Sequence, residues 1–317
     1  MATKKLLVVF GATGQQGNSV VTTVLYDSKL SSEYAVRAVT RDTSHPAAQA
    51  LATAGAEVVS ADMSDPSTLP AAVSGAHTIF LMTPTDYIGD TRSTETQQTK
   101  AVCSAAVDAG ASYIIWSSLD NVTKGSNGKL TKVVSFDIKE ELEQYIRTLP
   151  LKSSFYVPGS FMQNFTGNLA PVPSLTGDGT YVLSIILKPD TQLPLIDITD
   201  TGKWIASILA EPDKYEGKRL CAATRLYTLT EMVEIMSKVS GKQVTYQHLS
   251  EEAYKSSLPA QIPPQTQEWM VEMFKWNRDF GYFGQDQGEK VKWAAEQASG
   301  QLTEFEDFLR KSEFRLA

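Results

Sequence analysis

Cysteine and histidine are scarce in this chain of 317 residues, which contains two of the first and three of the second. Cys103 and Cys221 stand far apart in the sequence, and His45, His77 and His248 are equally scattered. A disulfide scaffold needs more cysteines, and a zinc site needs ligands at short, characteristic spacings. The sequence therefore predicts neither a disulfide framework nor a metal site, and a reducing compartment is the simpler expectation.

Long apolar runs and an excess of positive charge are also missing. The first apolar run, residues 6–10, is shorter than a signal peptide requires, and no stretch of about 18 apolar residues occurs. Lys and Arg total 29 against 36 Asp and Glu, for a net charge of −7, whereas proteins that bind duplex DNA normally have a basic face. We expect a cytoplasmic protein, also present in the nucleus if it regulates transcription, with no membrane span and no direct nucleic-acid contact.

What the sequence does contain is an alternation of short β-rich runs and helical patterns through its first half. Runs of apolar and β-branched residues predict strands at 5–10, 34–40, 56–62, 76–82, 112–118 and 153–159. Helical patterns lie between several of them, for example over 101–110. Strands separated by helices predict βαβ units, and hence an α/β fold with a doubly wound, mostly parallel sheet of the Rossmann type.

The second half of the chain is less regular and richer in proline and glycine. Two capping-box patterns, Thr228-x-x-Glu231 and Thr303-x-x-Glu306, predict helix starts there. Prolines interrupt residues 257–269, which predicts a linker or lid.

These patterns divide the chain into two predicted domains. The first is a Rossmann-type nucleotide-binding domain over residues 1–160, completed by roughly 190–224. The second is a smaller C-terminal α/β lobe for a substrate or partner, over 161–189 and 225–317. It should face the carboxyl edge of the sheet, where open α/β sheets bind their ligands.

Three glycines recur at every third position directly after the first predicted strand, in the segment GATGQQG. Backbone amides at a helix N-terminus can hold a pyrophosphate without a basic side chain, and glycine has no Cβ to keep the phosphate or adjacent backbone away. The alternative is a tight turn without a ligand. The strand before and the helix after this loop favour a dinucleotide site. Its candidate residues are Gly11, Thr13, Gly14, Gln15, Gln16 and Gly17.

The end of the second predicted strand bears on which dinucleotide is bound. NAD-binding sheets usually place an acidic residue there for the ribose 2′-hydroxyl, but this chain has Thr40 followed by Arg41 and Asp42. An arginine suits a 2′-phosphate, which a carboxylate would repel. The sequence therefore predicts NADP(H). The alternative is that Arg41 is a solvated charge and Asp42 binds the hydroxyl.

The next two predicted strands end in further candidate cofactor contacts. Asp62 could accept a hydrogen bond from the adenine amino group, with the Met63 thioether against the ring. The loop at Thr83 and Pro84 could line the cofactor ribose. The argument for these four residues is one of position at the carboxyl edge.

Taken in order, these segments resemble the NmrA-like family, an atypical branch of the short-chain dehydrogenase/reductases. The resemblance extends over the chain and rests on VVFGATGQQG, VTRD, AEVVSADMSD, SSLDNV, FDIKEELEQYI, VPGSFMQN, PLIDITDTGKW and EFEDFL. It implies a Rossmann-type domain, a small C-terminal lobe and a cleft between them. It also implies that Phe161, Met162, Gln163 and Asn164 lie beside the nicotinamide. Asn164 would form hydrogen bonds with the nicotinamide amide, and Phe161 would form one wall of the nicotinamide site.

The catalytic apparatus that the wider superfamily uses is incomplete. In Tyr-x-x-x-Lys, the lysine binds the nicotinamide ribose and lowers the pKa of the tyrosine, which acts as acid or base. Lys139 matches the family lysine, but Ser135 stands at the tyrosine position. Without the resemblance, Lys139 could equally form a surface pair with Glu143.

Other hydroxyl-bearing residues are candidates for the missing proton donor. Ser117 and Ser118 end the fifth predicted strand, where the superfamily keeps a catalytic serine, although serines are common at strand ends. Tyr113, Tyr145 and Tyr156 could replace the tyrosine in principle. Tyr145 belongs to an apolar stripe and is expected in the core.

Two functions of different classes follow from these observations. One is an NADP(H)-responsive regulator that acts through a protein partner such as a transcription or signalling factor. The other is an NADPH-dependent reductase of a small carbonyl, imine, enone or quinone, with Lys139 at its active site. The missing tyrosine and the acidic charge favour the regulator; the retained lysine and the aromatic second half favour the reductase. On balance the sequence favours the regulator slightly, and it does not identify the substrate, the partner or the oligomeric state.

Overall fold

Strands and helices alternate as the sequence predicts in the computed structural model of the chain, which describes residues 3–86 and 89–316. The strands are β1 (Lys5–Val9), β2 (Tyr34–Thr40), β3 (Glu57–Ser60), β4 (Thr78–Leu81), β5 (Tyr113–Ser117), β6 (Lys152–Pro158), β7 (Ser160–Phe161), β8 (Val172–Pro173), β9 (Tyr181–Ile185), β10 (Gln192–Ile196), β11 (Arg219–Ala222), β12 (Arg225–Thr228) and β13 (Val244–His248). The helices are α1 (Gln15–Tyr26), α2 (Ser28–Glu33), α3 (Pro46–Thr53), α4 (Leu69–Val73), α5 (Thr91–Asp108), α6 (Val122–Gly125), α7 (Val134–Ile146), α8 (Thr201–Ala210), α9 (Pro212–Tyr215), α10 (Leu229–Ser240), α11 (Glu251–Ser257), α12 (Pro264–Asp279), α13 (Gln287–Gln297) and α14 (Phe305–Lys311).

A seven-stranded parallel sheet forms the centre of the molecule, in the order β11-β6-β5-β4-β1-β2-β3. The reversal of strand order beside β1 is that of a doubly wound sheet and leaves a crevice at the carboxyl edge. The predicted α/β fold of the Rossmann type is confirmed, and the six predicted strands lie within two residues of β1 to β6.

Both faces of this sheet are buried, as the nearly unbroken apolar strands require. Leu7 and Val9 point into a core shared with α1 and α8, whereas Val8 and Phe10 point into a second core shared with α5 and α7. Because side chains alternate along a strand, one five-residue segment serves both cores. Helix packing on both faces holds the ends of β1, β4 and β5 at a fixed edge.

Two three-stranded sheets, β12-β10-β7 and β13-β9-β8, are built mainly from the second half of the chain. Strand β10 lies in the stretch predicted to complete the Rossmann domain, yet it pairs with β7 and β12. From the same stretch, β11 joins the large sheet beside β6. The division into two domains stays a prediction.

The two capping-box predictions have different outcomes. The Thr228 hydroxyl accepts a hydrogen bond from the Glu231 amide at 3.1 Å and caps α10, as predicted. The second predicts the start of α14 to within one residue, since Glu304 is the N-cap, but Thr303 does not cap the helix: its amide and hydroxyl donate to the Asp200 carboxylate at 2.6 and 3.2 Å.

The predicted proline-rich linker over 257–269 is shorter than expected. Helix α12 already begins at Pro264, where a proline in the first turn costs no hydrogen bond. Within the described residues, no helix combines the length and apolar character needed to span a membrane.

Candidate cofactor and substrate site

Two adjoining cavities occupy the carboxyl edge of the large sheet. The glycine-loop cavity, of about 440 Å³, is lined by Phe10, Gly11, Thr13, Gly14, Val39, Thr40, Arg41, Asp42, His45, Ala61, Asp62, Met63, Met82, Pro84 and Gln98. The inner cavity, of about 330 Å³, is lined by Gln16, Met82, Thr83, Pro84, Thr85, Ser117, Ser118, Leu119, Phe136, Lys139, Pro158, Gly159, Ser160, Phe161, Asn164, Phe165, Leu169, Leu193, Trp269, Met273, Phe274, Asn277 and Tyr282. Met82 and Pro84 line both, so the two cavities lie next to each other along the sheet edge.

The glycine loop leaves the start of α1 open to a ligand. Gly11 has a φ of +68°, in the left-handed region that favours glycine, and a Cβ there would lie 2.7 Å from the Met82 sulfur. Gly14 is the N-cap of α1 and supplies no side-chain hydrogen bond. The first amides of a helix lack intrahelical acceptors, so those of α1 can bind an anion.

Gly17 is required for packing within the loop rather than for contact with a phosphate. A Cβ at this position would lie 2.3 Å from the Gly11 carbonyl oxygen, so the glycine allows α1 to pack directly on the loop. Gln16 lines the inner cavity and accepts a hydrogen bond from the Ser117 hydroxyl at 2.9 Å. Gln15 is exposed and its side chain lines neither cavity.

Arg41 and Asp42 lie together at the far end of the glycine-loop cavity but differ in what they offer. Arg41 is exposed, and its guanidinium has no hydrogen-bond or ion-pair partner among the described residues. The Asp42 carboxylate accepts hydrogen bonds from the Ser44 hydroxyl and amide at 2.6 and 2.8 Å, which hold the pKa of Asp42 below its usual value. Both hydrogen bonds are to Oδ1, so Oδ2 is not used by this turn, and the alternative that Asp42 binds the ribose stays a prediction.

An unsatisfied amide lies beside the predicted adenine contacts. Asp62 and Met63 line the cavity as expected, and Asp62 also accepts from the Ser64 amide at 2.8 Å. Gln98, which the sequence reasoning missed, donates to the Ser64 hydroxyl at 2.9 Å, but its buried amide oxygen has no partner among the described residues. That orphaned oxygen, the open start of α1 and the unpaired Arg41 together fit a nucleotide with phosphate groups.

Lys139 is the centre of a buried polar network that sequence reasoning did not find. Its Nζ lies 2.7 Å from the Glu95 carboxylate and donates to the Thr83 carbonyl and hydroxyl at 2.6 and 2.7 Å. Glu95 also accepts from the hydroxyls of Thr83 and Thr85 at 2.5 and 3.1 Å. Helix α5 supplies the carboxylate and α7 the lysine, so only their packing brings the pair together.

The alternative for Lys139, a surface pair with Glu143, is not formed. Lys139 is buried, and Glu143 faces Ser118 at 2.7 Å and Arg147 at 2.8 Å instead. An ammonium has three N–H donors, and three protein acceptors surround that of Lys139. Burial lowers the pKa of Lys139, while the Glu95 carboxylate acts against that shift.

Ser135, which stands where the superfamily has its tyrosine, has its hydroxyl directed toward α12. The Trp269 indole N–H donates to the Ser135 hydroxyl at 2.9 Å. Tyr113 donates to the Pro212 carbonyl at 3.0 Å and Tyr156 pairs with Thr201 at 3.0 Å; burial raises the pKa of both phenols. Tyr145 packs against an apolar cluster, as predicted. None of these three tyrosines lines the inner cavity.

The segment that the family resemblance places beside the nicotinamide is only partly directed into the cleft. Phe161 and Asn164 line the inner cavity. Two side chains are engaged elsewhere, so their contact with the nicotinamide stays a prediction: Met162 is buried in the core of the small sheets, and the Gln163 amide binds the Asp197 carboxylate at 2.8 Å and the Ile198 amide at 3.2 Å. A 3₁₀ turn over Met162–Thr166 sends neighbouring side chains in different directions.

One face of α12 closes the inner cavity opposite the large sheet. Trp269, Met273 and Asn277 recur at intervals of four on that face, with Phe274 beside them. Aromatic residues of the second half of the chain favoured the reductase in the sequence, and six of them can now be located. Phe161, Phe165, Trp269 and Phe274 line the cavity, whereas Tyr181 and Trp276 lie in the core.

Comparison with known proteins gives matches over nearly the whole chain. The family model described as NmrA-like family matches residues 3–309. An NmrA-like family domain-containing protein of Dictyostelium discoideum is 28% identical over 98% of this chain and 99% of its own length. The NmrA-like family domain-containing oxidoreductase malD of Malbranchea aurantiaca is 32% identical over 78% of this chain and 76% of its own length.

Solved structures share the same fold. NmrA, a negative transcriptional regulator solved in complex with NADP, has a TM-score of 0.79 at 23% identity, covering 98% of this chain and 95% of its own. The NADPH-dependent quinone oxidoreductase QOR2 of Escherichia coli, solved with NADPH, has a TM-score of 0.75 at 23% identity, covering 97% of this chain and 99% of its own. One neighbour is thus a regulator and the other an enzyme.

Proposed function

The chain belongs to the NmrA-like family, whose solved neighbours bind NAD or NADP, and from that premise we propose that it is an NADPH-dependent reductase of a small carbonyl, imine, enone or quinone. The observation that supports this proposal is the inner cavity. It adjoins the glycine-loop cavity, has Lys139 in one wall and aromatic residues in the others, and has the size and lining of a small-molecule site.

The cofactor is proposed to be NADP(H). The start of α1 would hold its pyrophosphate, Arg41 its 2′-phosphate, and Asp62 and Gln98 its adenine. When bound, the cofactor supplies a hydride to the substrate. If NAD(H) bound the same site, it would bring no 2′-phosphate, and the Arg41 guanidinium would remain without a partner.

The residues around the inner cavity would position the substrate and exclude water. Apolar side chains on α12 and at Phe161 cover the space next to the sheet edge. Lys139 holds its protons at Nζ in the wall of this cavity, and Glu95 fixes the ammonium through a 2.7 Å contact. Because Glu95 and Thr83 already accept from its three N–H groups, a substrate oxygen would have to replace one of these acceptors, such as the Thr83 hydroxyl, to receive a hydrogen bond from Nζ.

The regulator hypothesis, which the sequence favoured, requires only the cofactor site and a partner surface. It leaves the aromatic inner cavity without a purpose, and the relatives malD and QOR2 are described as oxidoreductases. We therefore place the reductase first. A regulator would bind NADPH without consuming it, which makes the two hypotheses separable by measurement.

The test follows NADPH oxidation with a panel of quinones, enones and cyclic imines. The informative variant is the double change Lys139→Met with Glu95→Gln, because it removes both charges and leaves none unpaired. The matched control is Lys100→Met, which changes an exposed lysine on α5.

We expect turnover by the wild type and the control, and a loss of about 100-fold or more in the double variant. Binding of NADPH, measured by calorimetry, should persist in all three proteins. Failure of every compound to oxidise bound NADPH would contradict the proposal and leave the regulator. Full activity of the double variant would remove Lys139 from the mechanism.

A further inference from the structure

We propose that the inner cavity takes a neutral ring compound and that Asn277 recognises a polar N–H or O–H group on it. The inference rests on the proposed function, because it names the kind of molecule that would enter that site. Asn277 lies near the end of α12, far in sequence from the residues of the glycine loop and from Lys139.

The charge balance of the cavity indicates a neutral occupant. Among the lining residues that the structure describes, Lys139 alone has a formal charge at neutral pH. Glu95 neutralises it from behind at 2.7 Å, and both side chains are buried. An ionised substrate would thus lose its hydration without meeting an uncompensated opposite charge, which is strongly unfavourable.

The walls of the cavity indicate a flat, apolar ring. Six aromatic side chains surround it, on the end of β7 and the 3₁₀ turn after it, on α7, on α12 and on the loop that follows α12. They are Phe136, Phe161, Phe165, Trp269, Phe274 and Tyr282. Phe136 lies edge-on to both Trp269 and Tyr282, with ring centroids 6.4 and 5.9 Å apart. Aromatic rings prefer such edge-to-face or offset contacts with another ring.

Asn277 is the polar side chain that α12 contributes to the wall of the inner cavity, and it also lines a second cavity bordered by Lys188 and Asp279. Its side chain is only 4% exposed, and its Nδ2 has a weak contact with the Met273 sulfur at 3.4 Å. Its Oδ1 is buried without a hydrogen-bond partner among the described residues. Such an orphan amide destabilises the folded protein, and leucine would fill a similar volume without that cost. A ligand donor would satisfy the amide and explain why it is there.

The test compares two neutral bicyclic rings of nearly the same shape, indole and benzothiophene, of which only indole has an N–H. Binding of each is measured by calorimetry to the full-length protein loaded with NADP. The variant is Asn277→Leu. The control is Leu169→Ala, which removes apolar contact from the same cavity without changing a polar group.

We expect the wild type to prefer indole by about 10-fold and Asn277→Leu to lose that preference while it still binds benzothiophene. Leu169→Ala should weaken both compounds equally and keep the preference. The melting temperature of Asn277→Leu should rise, because the orphan amide is gone.

An unchanged preference in Asn277→Leu, or no binding of either ring to the wild type, would overturn the inference. Naphthalene-2-carboxylate, an anionic ring, should bind more weakly than both neutral rings; tighter binding of the anion would also overturn it. These outcomes are independent of turnover. Binding preference without NADPH oxidation would contradict the reductase alone, whereas oxidation without the preference would contradict only the inference about Asn277.

Discussion

Removing one charge of the buried Lys139–Glu95 pair should make stability depend on pH in a direction set by which charge remains. Glu95→Gln keeps the size of the side chain and can still accept from Thr83 and Thr85, but it leaves the Lys139 ammonium without a counter-charge. Breaking a buried pair by removing one partner typically costs about 3–5 kcal/mol. We expect a loss of that size in the free energy of unfolding at pH 7.

The sign of the pH dependence follows from linkage. In Glu95→Gln the pKa of Lys139 in the folded state falls further below its unfolded value of about 10.4, so the unfolded chain binds more protons. The loss of stability relative to wild type should therefore shrink as pH rises from 7 to 9. Its limit is about 1.4 kcal/mol per pH unit, reached if Lys139 is neutral in the folded variant.

Lys139→Met should behave in the opposite way. It leaves a buried carboxylate without a cation, and because burial disfavours the charged form, a fall in pH favours the folded variant. Its loss of stability should shrink as pH falls from 7 to 5. The double variant has neither charge, so its stability relative to wild type should change little with pH.

The assay is urea unfolding followed by tryptophan fluorescence at pH 5, 7 and 9, with all four proteins compared at each pH. The reasoning would be refuted if both single variants lay within about 1 kcal/mol of the wild type at pH 7, since the pair would then be solvated. It would also be refuted if both variants lost or gained stability in the same direction as pH changed.

Two further predictions concern the cofactor site. Arg41→Ala should weaken NADPH binding by about 10- to 100-fold, because a charge-assisted contact is lost, and leave NADH binding nearly unchanged; calorimetry with both nucleotides checks this, and equal weakening would mean that Arg41 does not contact the 2′-phosphate. Gly17→Ala places a Cβ 2.3 Å from the Gly11 carbonyl oxygen, so it should destabilise the protein by about 1–3 kcal/mol and weaken nucleotide binding. The matched control is Gly288→Ala, where a Cβ meets nothing within 4 Å, and an equal loss of stability in both variants would contradict the packing argument.

Local patterns in the sequence were enough for six of the seven strands of the large sheet and for the glycine loop. The glycine spacing, the strand before it and the helix after it depend on neighbouring residues, and β1 and α1 lie where these patterns predict. The N-cap at Thr228 was predictable for the same reason, because Glu231 lies one turn away. Thr303 has the same sequence pattern, but its amide and hydroxyl donate to the carboxylate of Asp200, which is distant in sequence.

The sequence showed that aromatic residues are frequent in the second half of the chain, but not which residues form the wall of the inner cavity. Nothing local marks Asn277 or Tyr282 as neighbours of Lys139, since α12 and the following loop reach the cavity through packing against the sheet edge. Gln98 likewise lines the glycine-loop cavity because α5 brings it next to Ser64, which follows β3. Their roles come from chain segments that meet only in the folded protein.

The sequence by itself determined the family, the α/β fold and the loop that would hold a dinucleotide, because each depends on residues close together in the chain. Only the tertiary structure decided the environment of Lys139. The sequence offered Glu143, four residues away on the same helix, as its partner, whereas the partner is Glu95 on α5. A buried charge takes the counter-charge that packing brings to it, and packing joins residues without regard to their separation in sequence.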